Sequence, residues 1–177
     1  MRHRLIILSA LALAALAAAA VAAAGNLTAT ATITGAAGVS LALPGNPSIS
    51  DTLDGTDQTV TYAPVLGVVD ATGSGNGWNL TVAATTFSDG SGHTIAPGAV
   101  SSVASACHAG SSCTAATNSV SGYPLTISGT AVKFFNAAVG TGLGKVDVTP
   151  TVGVLVPGNT YAGTYTSTVT LAVVAGP

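Results

Sequence analysis

Residues 77–82 read Gly-Trp-Asn-Leu-Thr-Val, and residues 87–93 follow as Phe-Ser-Asp-Gly-Ser-Gly-His. In the first run Trp78, Leu80 and Val82 alternate with smaller or polar residues, the period of two expected of a strand with one buried face. The Asp-Gly-Ser-Gly cluster supplies residues for a tight turn. The block therefore predicts a strand followed by a turn. Because its in-phase neighbours are apolar, Trp78 is predicted to lie in the core rather than to stack on a ligand.

The same period of two recurs along the chain, and no helical period accompanies it. Strands are predicted over 26–35, over 58–69 with a bulge or sheet edge at Pro64 and Gly67, around 123–127, 132–134 and 146–154, and over 164–173 as the longest clean strand. Many short strands separated by turn residues are typical of an antiparallel sandwich. We therefore predict an all-β, Ig-like or Greek-key β-sandwich that follows an N-terminal signal helix.

The first segment has the features of an export signal. Arg2 and Arg4 precede an apolar run over 5–21, and small residues over 22–25 fit an A-x-A cleavage site. We predict a signal peptide over 1–24 and a single domain over 25–177. A retained membrane anchor is the alternative, since the run approaches spanning length. The expected location is extracellular, at the cell surface or cell wall.

Charge is sparse. The whole chain has four Lys or Arg and six Asp or Glu, a net charge of −2 with His neutral. Loss of Arg2 and Arg4 with the leader leaves two positive and six negative charges, a net charge of −4. This balance lacks the basic footprint needed to bind nucleic acid. It also argues against electrostatic attachment to anionic membranes or wall polymers.

Cys107 and Cys113 are the only two cysteines. In an exported chain they predict one structural disulfide. A metal site with His108 and a redox pair are the alternatives, but zinc normally takes four ligands and redox cysteines are closer in sequence. We predict that the disulfide closes a short loop, and that it lies within a long loop over residues 98–122, which are small and polar and show no periodicity.

Three carboxylates, Asp51, Asp54 and Asp57, lie in one short stretch. They raise the alternative of a weak calcium site, although the spacing is not that of an EF-hand, and a solvated turn in which Asp accepts local hydrogen bonds is favoured. We expect no cofactor.

Ser88, Asp89 and His93 are the residue types of a hydrolase triad, but they share one turn and have no nucleophile elbow. The sequence therefore predicts a protein that is not an enzyme.

The run over 77–82, the turn block over 87–95 and the closing segment over 156–171 together resemble the WxL domain of bacterial cell-surface proteins. The resemblance covers most of the chain beyond the leader. It marks Trp78, Leu80 and Leu171 as motif residues and core anchors. The chain has Val169-Thr170-Leu171 where the family typically has a second Trp-x-Leu, and we expect it to be without the larger N-terminal region that often precedes the domain.

The resemblance implies non-covalent attachment to the peptidoglycan of Gram-positive bacteria, and this is the leading functional hypothesis. The alternative is a subunit of a surface fibre that lends its strand at 26–35 to a neighbour, through edge strands that invite pairing. A third hypothesis is a soluble glycan-binding module whose affinity depends on exposed aromatic residues. The expected partners are therefore peptidoglycan or other surface proteins.

Overall fold

The structure, a computed structural model, describes residues 28–177. This part of the chain contains eleven strands and no helix. They are β1 (Ser40–Ala42), β2 (Gln58–Tyr62), β3 (Leu66–Asp70), β4 (Trp78–Ala84), β5 (Phe87–Ser88), β6 (Thr94–Ile95), β7 (Ala99–Cys107), β8 (Leu125–Thr126), β9 (Val132–Ala137), β10 (Gly144–Val156) and β11 (Val169–Ala175). The predicted signal peptide and signal helix lie outside the described residues. Over 28–177 no helix has the length and apolar character that a membrane crossing needs.

The described residues fall into two units, divided between Thr32 and Ile33. In the first unit, the described residues 28–32 are exposed and belong to no strand. The second unit contains all eleven strands, the first of which begins at Ser40. The strand predicted over 26–35 is therefore wrong for residues 28–35, because no described strand supplies the ladder hydrogen bonds that a strand needs.

The strands of the second unit form two main sheets and a small hairpin. The first sheet has the order β1-β3-β10-β7-β8, with β2 also paired to β10; the second has the order β11-β4-β9; β5 and β6 form the hairpin. Every strand pair is antiparallel. The predicted antiparallel, sandwich-like all-β fold is confirmed.

Strand β10 organises the first sheet. Its 13 residues make it the longest strand, whereas the predicted longest strand, over 164–173, is realised only as β11 from Val169 onward. One edge of β10 pairs with β7, and the other is shared by β3 and β2. Pro150 lies at the break between β3 and β2, where residues 149–151 pair only with β7. Because proline has no N–H to donate, a stretch that is paired on one side only accommodates it.

The prediction of a loop over 98–122 is wrong in its first half, since residues 99–107 form β7. Most side chains of β7 are small and exposed, with only Val100 fully buried, so the sequence shows little alternation. The strand exists because β10 pairs with it along most of its length. The predicted disulfide is confirmed: Cys107, the last residue of β7, is bonded to Cys113.

The core lies between the two main sheets. In β4 every second residue from Trp78 to Ala84 is buried, and in β10 the same holds from Val146 to Val154. Strand β9 adds Phe134 and Phe135 through a register shift opposite Leu80. The buried apolar residues that form one cluster are Leu66, Val68, Trp78, Leu80, Val82, Ala84, Val100, Ile127, Phe134, Phe135, Ala137, Val146, Val148 and Val152.

The indole of Trp78 is fully buried at one end of this core. Its Nε1–H donates a hydrogen bond to the carbonyl oxygen of Gly142, at 3.0 Å, and its ring packs on Phe135 with centroids 5.8 Å apart. Gly142 has φ of 73°, and a Cβ there would meet the Cβ of Ala137 and lie 2.7 Å from the indole nitrogen. A buried indole N–H needs an acceptor, and only glycine lets the backbone approach closely enough to provide it.

Replacement of Trp78 by alanine is expected to lower the free energy of unfolding by about 3–5 kcal/mol, because it leaves a large cavity and an unpaired carbonyl. Urea denaturation followed by circular dichroism measures this change. The matched control is Val174→Ala in β11, where the side chain is 51% exposed and the expected change is within about 0.5 kcal/mol. Equal effects of the two substitutions would contradict the structural role of the indole.

Substitution of two neighbouring glycines distinguishes the cost of backbone strain from the cost of contact with the indole. Gly140 has φ of 78° and open space around its Cα, whereas Gly142 faces the indole. Gly140→Ala is expected to cost only the left-handed backbone penalty, roughly 1–2 kcal/mol. Gly142→Ala is expected to cost about 1–3 kcal/mol more, since the methyl group overpacks the site. Urea titrations of both variants test this, and equal destabilisation would show that the indole does not need the glycine.

Candidate functional site

The Trp-x-Leu run occupies the middle strand of the second sheet. Strand β4 pairs with β11 on one side and with β9 on the other. Leu80 is opposite Val173, and Leu171 is opposite Val82, half-buried against the core. The structure therefore brings Trp78, Leu80 and Leu171 together on two adjacent strands, and it places the first two wholly inside the sandwich. This motif presents no surface of its own to a ligand.

The three aspartates proposed as calcium ligands each accept hydrogen bonds from residues near or distant in the sequence. Asp51 accepts from the backbone N–H of Thr52, and Asp57 from the backbone N–H of Gly158 at 2.9 Å. Asp54 accepts from the N–H and hydroxyl of Thr56, whose side-chain hydrogen bond is the main cause of a lowered pKa at Asp54. Within residues 28–177 no three metal-ligating side chains come together. The calcium site is thus not assembled, and the carboxylates stabilise turns instead.

His108, the third residue of the alternative metal site, contacts a carboxylate and does not share a metal site with the two cysteines. Its Nδ1 lies 2.9 Å from the carboxylate of Asp147 on β10, and both cysteine sulfurs are consumed by the disulfide. The disulfide loop also packs on β10, since Cys113 forms an isolated bridge with Gly144. The contacts of Cys107, His108 and Cys113 therefore attach the disulfide loop to β10.

Ser88, Asp89 and His93 lie in one turn, but their hydrogen bonds do not form a triad. The Nδ1 atom of His93 lies 2.5 Å from the carboxylate of Asp89, and this contact is the main cause of a lowered pKa at Asp89. The hydroxyl oxygen of Ser88 accepts from the N–H of Gly90. Among the described hydrogen bonds none joins Ser88 to the imidazole, so the serine lacks the base that a nucleophile needs.

An aromatic contact joins this turn to the closing segment. The rings of His93 and Tyr161 are stacked, with centroids 3.9 Å apart and planes inclined by 17°. The hydroxyl of Tyr165 donates to the carbonyl oxygen of Tyr161 at 2.9 Å, and its pKa is raised by desolvation and by the charge of Asp89. We call the set Asp89, His93, Tyr161 and Tyr165 the aromatic cluster. Its two halves come from sequence stretches that the family resemblance had singled out, but their contact had no signal in the sequence.

A second feature that sequence reasoning missed is a polar network behind β9. Asn136 is fully buried, and its side-chain oxygen accepts from the N–H and hydroxyl of Ser119. Asn118 accepts from the N–H of Asn136 and donates to the hydroxyl of Tyr123, which in turn donates to the carbonyl of Phe134. These bonds hold the segment after the disulfide against the edge of the second sheet. The sequence could not predict this network, because Asn118 and Asn136 belong to no periodic pattern or motif.

Comparison with known proteins gives one match. A family model described as "WxL domain surface cell wall-binding" covers residues 23–177. No curated protein matches the chain with significance, and no solved structure does. The match spans all eleven strands, the buried Trp-x-Leu run and both halves of the aromatic cluster. The chain therefore belongs to the WxL domain family of surface, cell wall-binding domains.

Proposed function

We propose that the chain is an exported, non-enzymatic surface protein that attaches non-covalently to peptidoglycan. The observation that carries this proposal is the family match, which extends over the whole sandwich and is described as surface cell wall-binding. In this proposal residues 1–24 are a signal peptide removed on export, which leaves a single domain over 25–177. Peptidoglycan is the wall component that a charge-poor chain suits best, because anionic wall polymers would repel a net charge of −4.

The absence of catalysis in this proposal is supported by the turn at Ser88. The serine hydroxyl is held by the backbone of its own turn, and His93 is engaged by Asp89 and by the ring of Tyr161. An imidazole supported by a carboxylate can act as a base, but none of the described hydrogen bonds joins this one to a hydroxyl that could serve as the nucleophile. The domain then acts by binding alone.

The exported chain, residues 25–177, is expected to co-sediment with purified Gram-positive peptidoglycan stripped of its anionic polymers. Because the chain carries little charge, the bound fraction is expected to persist in 0.5–1 M NaCl, a range in which screening reduces the Debye length to roughly 3–4 Å. Cellulose is the control polysaccharide. Protein that remains in the supernatant with peptidoglycan would overturn the proposal, and release by salt would assign binding to charge.

A second candidate function, assembly by strand donation, is favoured by the first described residues. Residues 28–35 alternate threonine with apolar residues, yet they are exposed and belong to no described strand. Ile33 at their end is also exposed. An exposed segment with the sequence pattern of a strand and no strand partner is a suitable donor for β-augmentation.

The second sheet offers an acceptor edge for such a donor. The β9 edge is covered, since Ala138 donates to the carbonyl of Thr117 and Asn136 donates to the side chain of Asn118. The β11 edge has β4 as its one ladder partner over the described chain. Its seven residues contain no charge and no proline, the features that usually protect an edge strand. We infer that residues 26–35 of one copy pair with β11 of another.

Deletion of residues 26–35 is expected to abolish high-mass assemblies of the exported chain while it leaves peptidoglycan binding intact, because the donor is lost and the sandwich is kept. Size-exclusion chromatography with light scattering measures the assemblies, and co-sedimentation measures wall binding. A synthetic peptide of residues 26–35 serves as a competitor. Assemblies that survive the deletion, or an intact chain that stays monomeric at high concentration, would contradict strand donation.

A further inference from the structure

The aromatic residues of this chain are distributed unevenly. All eight Phe, Trp and Tyr residues lie within the described part of the chain. Seven of them are buried or half-buried. Tyr161 is the exposed one, with 65% of its surface accessible. Single exposed apolar side chains such as Val139 are ordinary on a protein surface, but Tyr161 differs from them because it presents an aromatic ring that is stacked on a second ring.

The ring of Tyr161 is held in place from below. The imidazole of His93 covers one of its faces at a centroid distance of 3.9 Å, so the accessible area belongs to the opposite face and the ring edges. The hydroxyl of Tyr165 binds the backbone carbonyl of Tyr161. A side chain fixed in this way loses little rotamer freedom when a ligand stacks on it.

The imidazole beneath the ring is itself fixed. The Asp89 carboxylate bonds to its Nδ1 and also accepts from the backbone N–H groups of Ser91 and His93. The turn is joined to the closing segment by two backbone hydrogen bonds between Ser88 and Thr166, each 2.9 Å long. The aromatic cluster is thus a rigid platform built by two segments that are distant in sequence.

The charge of the aromatic cluster favours one component of peptidoglycan, the glycan strand, over the other, the stem peptide. The cluster has no Lys or Arg to pair with the carboxylates of a stem peptide. Its one carboxylate, Asp89, which could attract the amino groups of a stem peptide, is already engaged by His93 and by two backbone N–H groups. The face of a phenol ring carries partial negative charge and attracts the weakly positive C–H groups that line one face of a pyranose. A sugar ring of the glycan strand is therefore the chemistry that fits.

We propose that Tyr161, supported by His93, is the stacking platform on which the domain binds a sugar ring of the peptidoglycan glycan strand. This inference rests on the proposed attachment to peptidoglycan and names the site for it. In this proposal Asp89 and Tyr165 position the platform, and the buried Trp78 stabilises the fold without contacting the ligand.

The test compares the exported chain with three variants in co-sedimentation with peptidoglycan. Tyr161→Ala is expected to weaken binding by roughly tenfold or more, as for the removal of a central aromatic anchor. Tyr161→Trp keeps an aromatic face and is expected to retain binding. Val139→Ala removes a comparably exposed apolar side chain elsewhere, at 70% exposure, and is expected to bind as the unchanged chain does. Thermal melting confirms that all variants fold.

A competition experiment assigns the ligand chemistry. Glycan strands freed of stem peptides by an amidase are expected to displace the chain, and free stem peptides are not. Tyr161→Ala that binds like the unchanged chain would overturn the platform while the proposed function stands. An unchanged chain that does not bind peptidoglycan would overturn both. Displacement by stem peptides alone would overturn the assignment to sugar.

Discussion

The sandwich depends on the hydrogen bond from a buried indole to a backbone carbonyl. Trp78 fills one end of the core, and its N–H must find an acceptor there because no water reaches a fully buried group. Gly142 provides that acceptor from the turn before β10, in a conformation that a side chain would disturb. One residue thereby links the middle strand of the second sheet to the entry of the longest strand of the first. Phe135 of β9 completes the contact.

Hydrogen bonds of polar side chains stabilise the turns and loops of this protein, in which few charged residues are present to form ion pairs. Within residues 28–177 the only side-chain contacts between an acidic and a basic group join histidines to aspartates, at His93–Asp89 and His108–Asp147. Other aspartates bind backbone N–H groups in turns, and Asn118 and Asn136 bind the loop after the disulfide to the β9 edge of the second sheet. Such bonds are short in range and less sensitive to salt than ion pairs between exposed groups.

The motif for which the family is named and the surface proposed to bind the wall are separate parts of this molecule. Trp78 and Leu80 are inaccessible, so they influence binding only through the fold. The aromatic cluster lies in the turn after β5 and in the segment before β11, two connections held together by the bridge between Ser88 and Thr166. A rigid core that positions loop residues is the usual division of labour in a β-sandwich.

The sequence alone determined the β class, the buried face of β4, the disulfide and the family, because each is recorded in local alternation, spacing or motif. Tertiary structure decided the rest. The small residues of 99–107 became a strand because β10 pairs with them, and residues 28–35 did not, despite better alternation. The stack of His93 on Tyr161 joins positions far apart in the chain. Backbone pairing and ring contacts across the fold leave no periodic trace, since they depend on which segments meet in space.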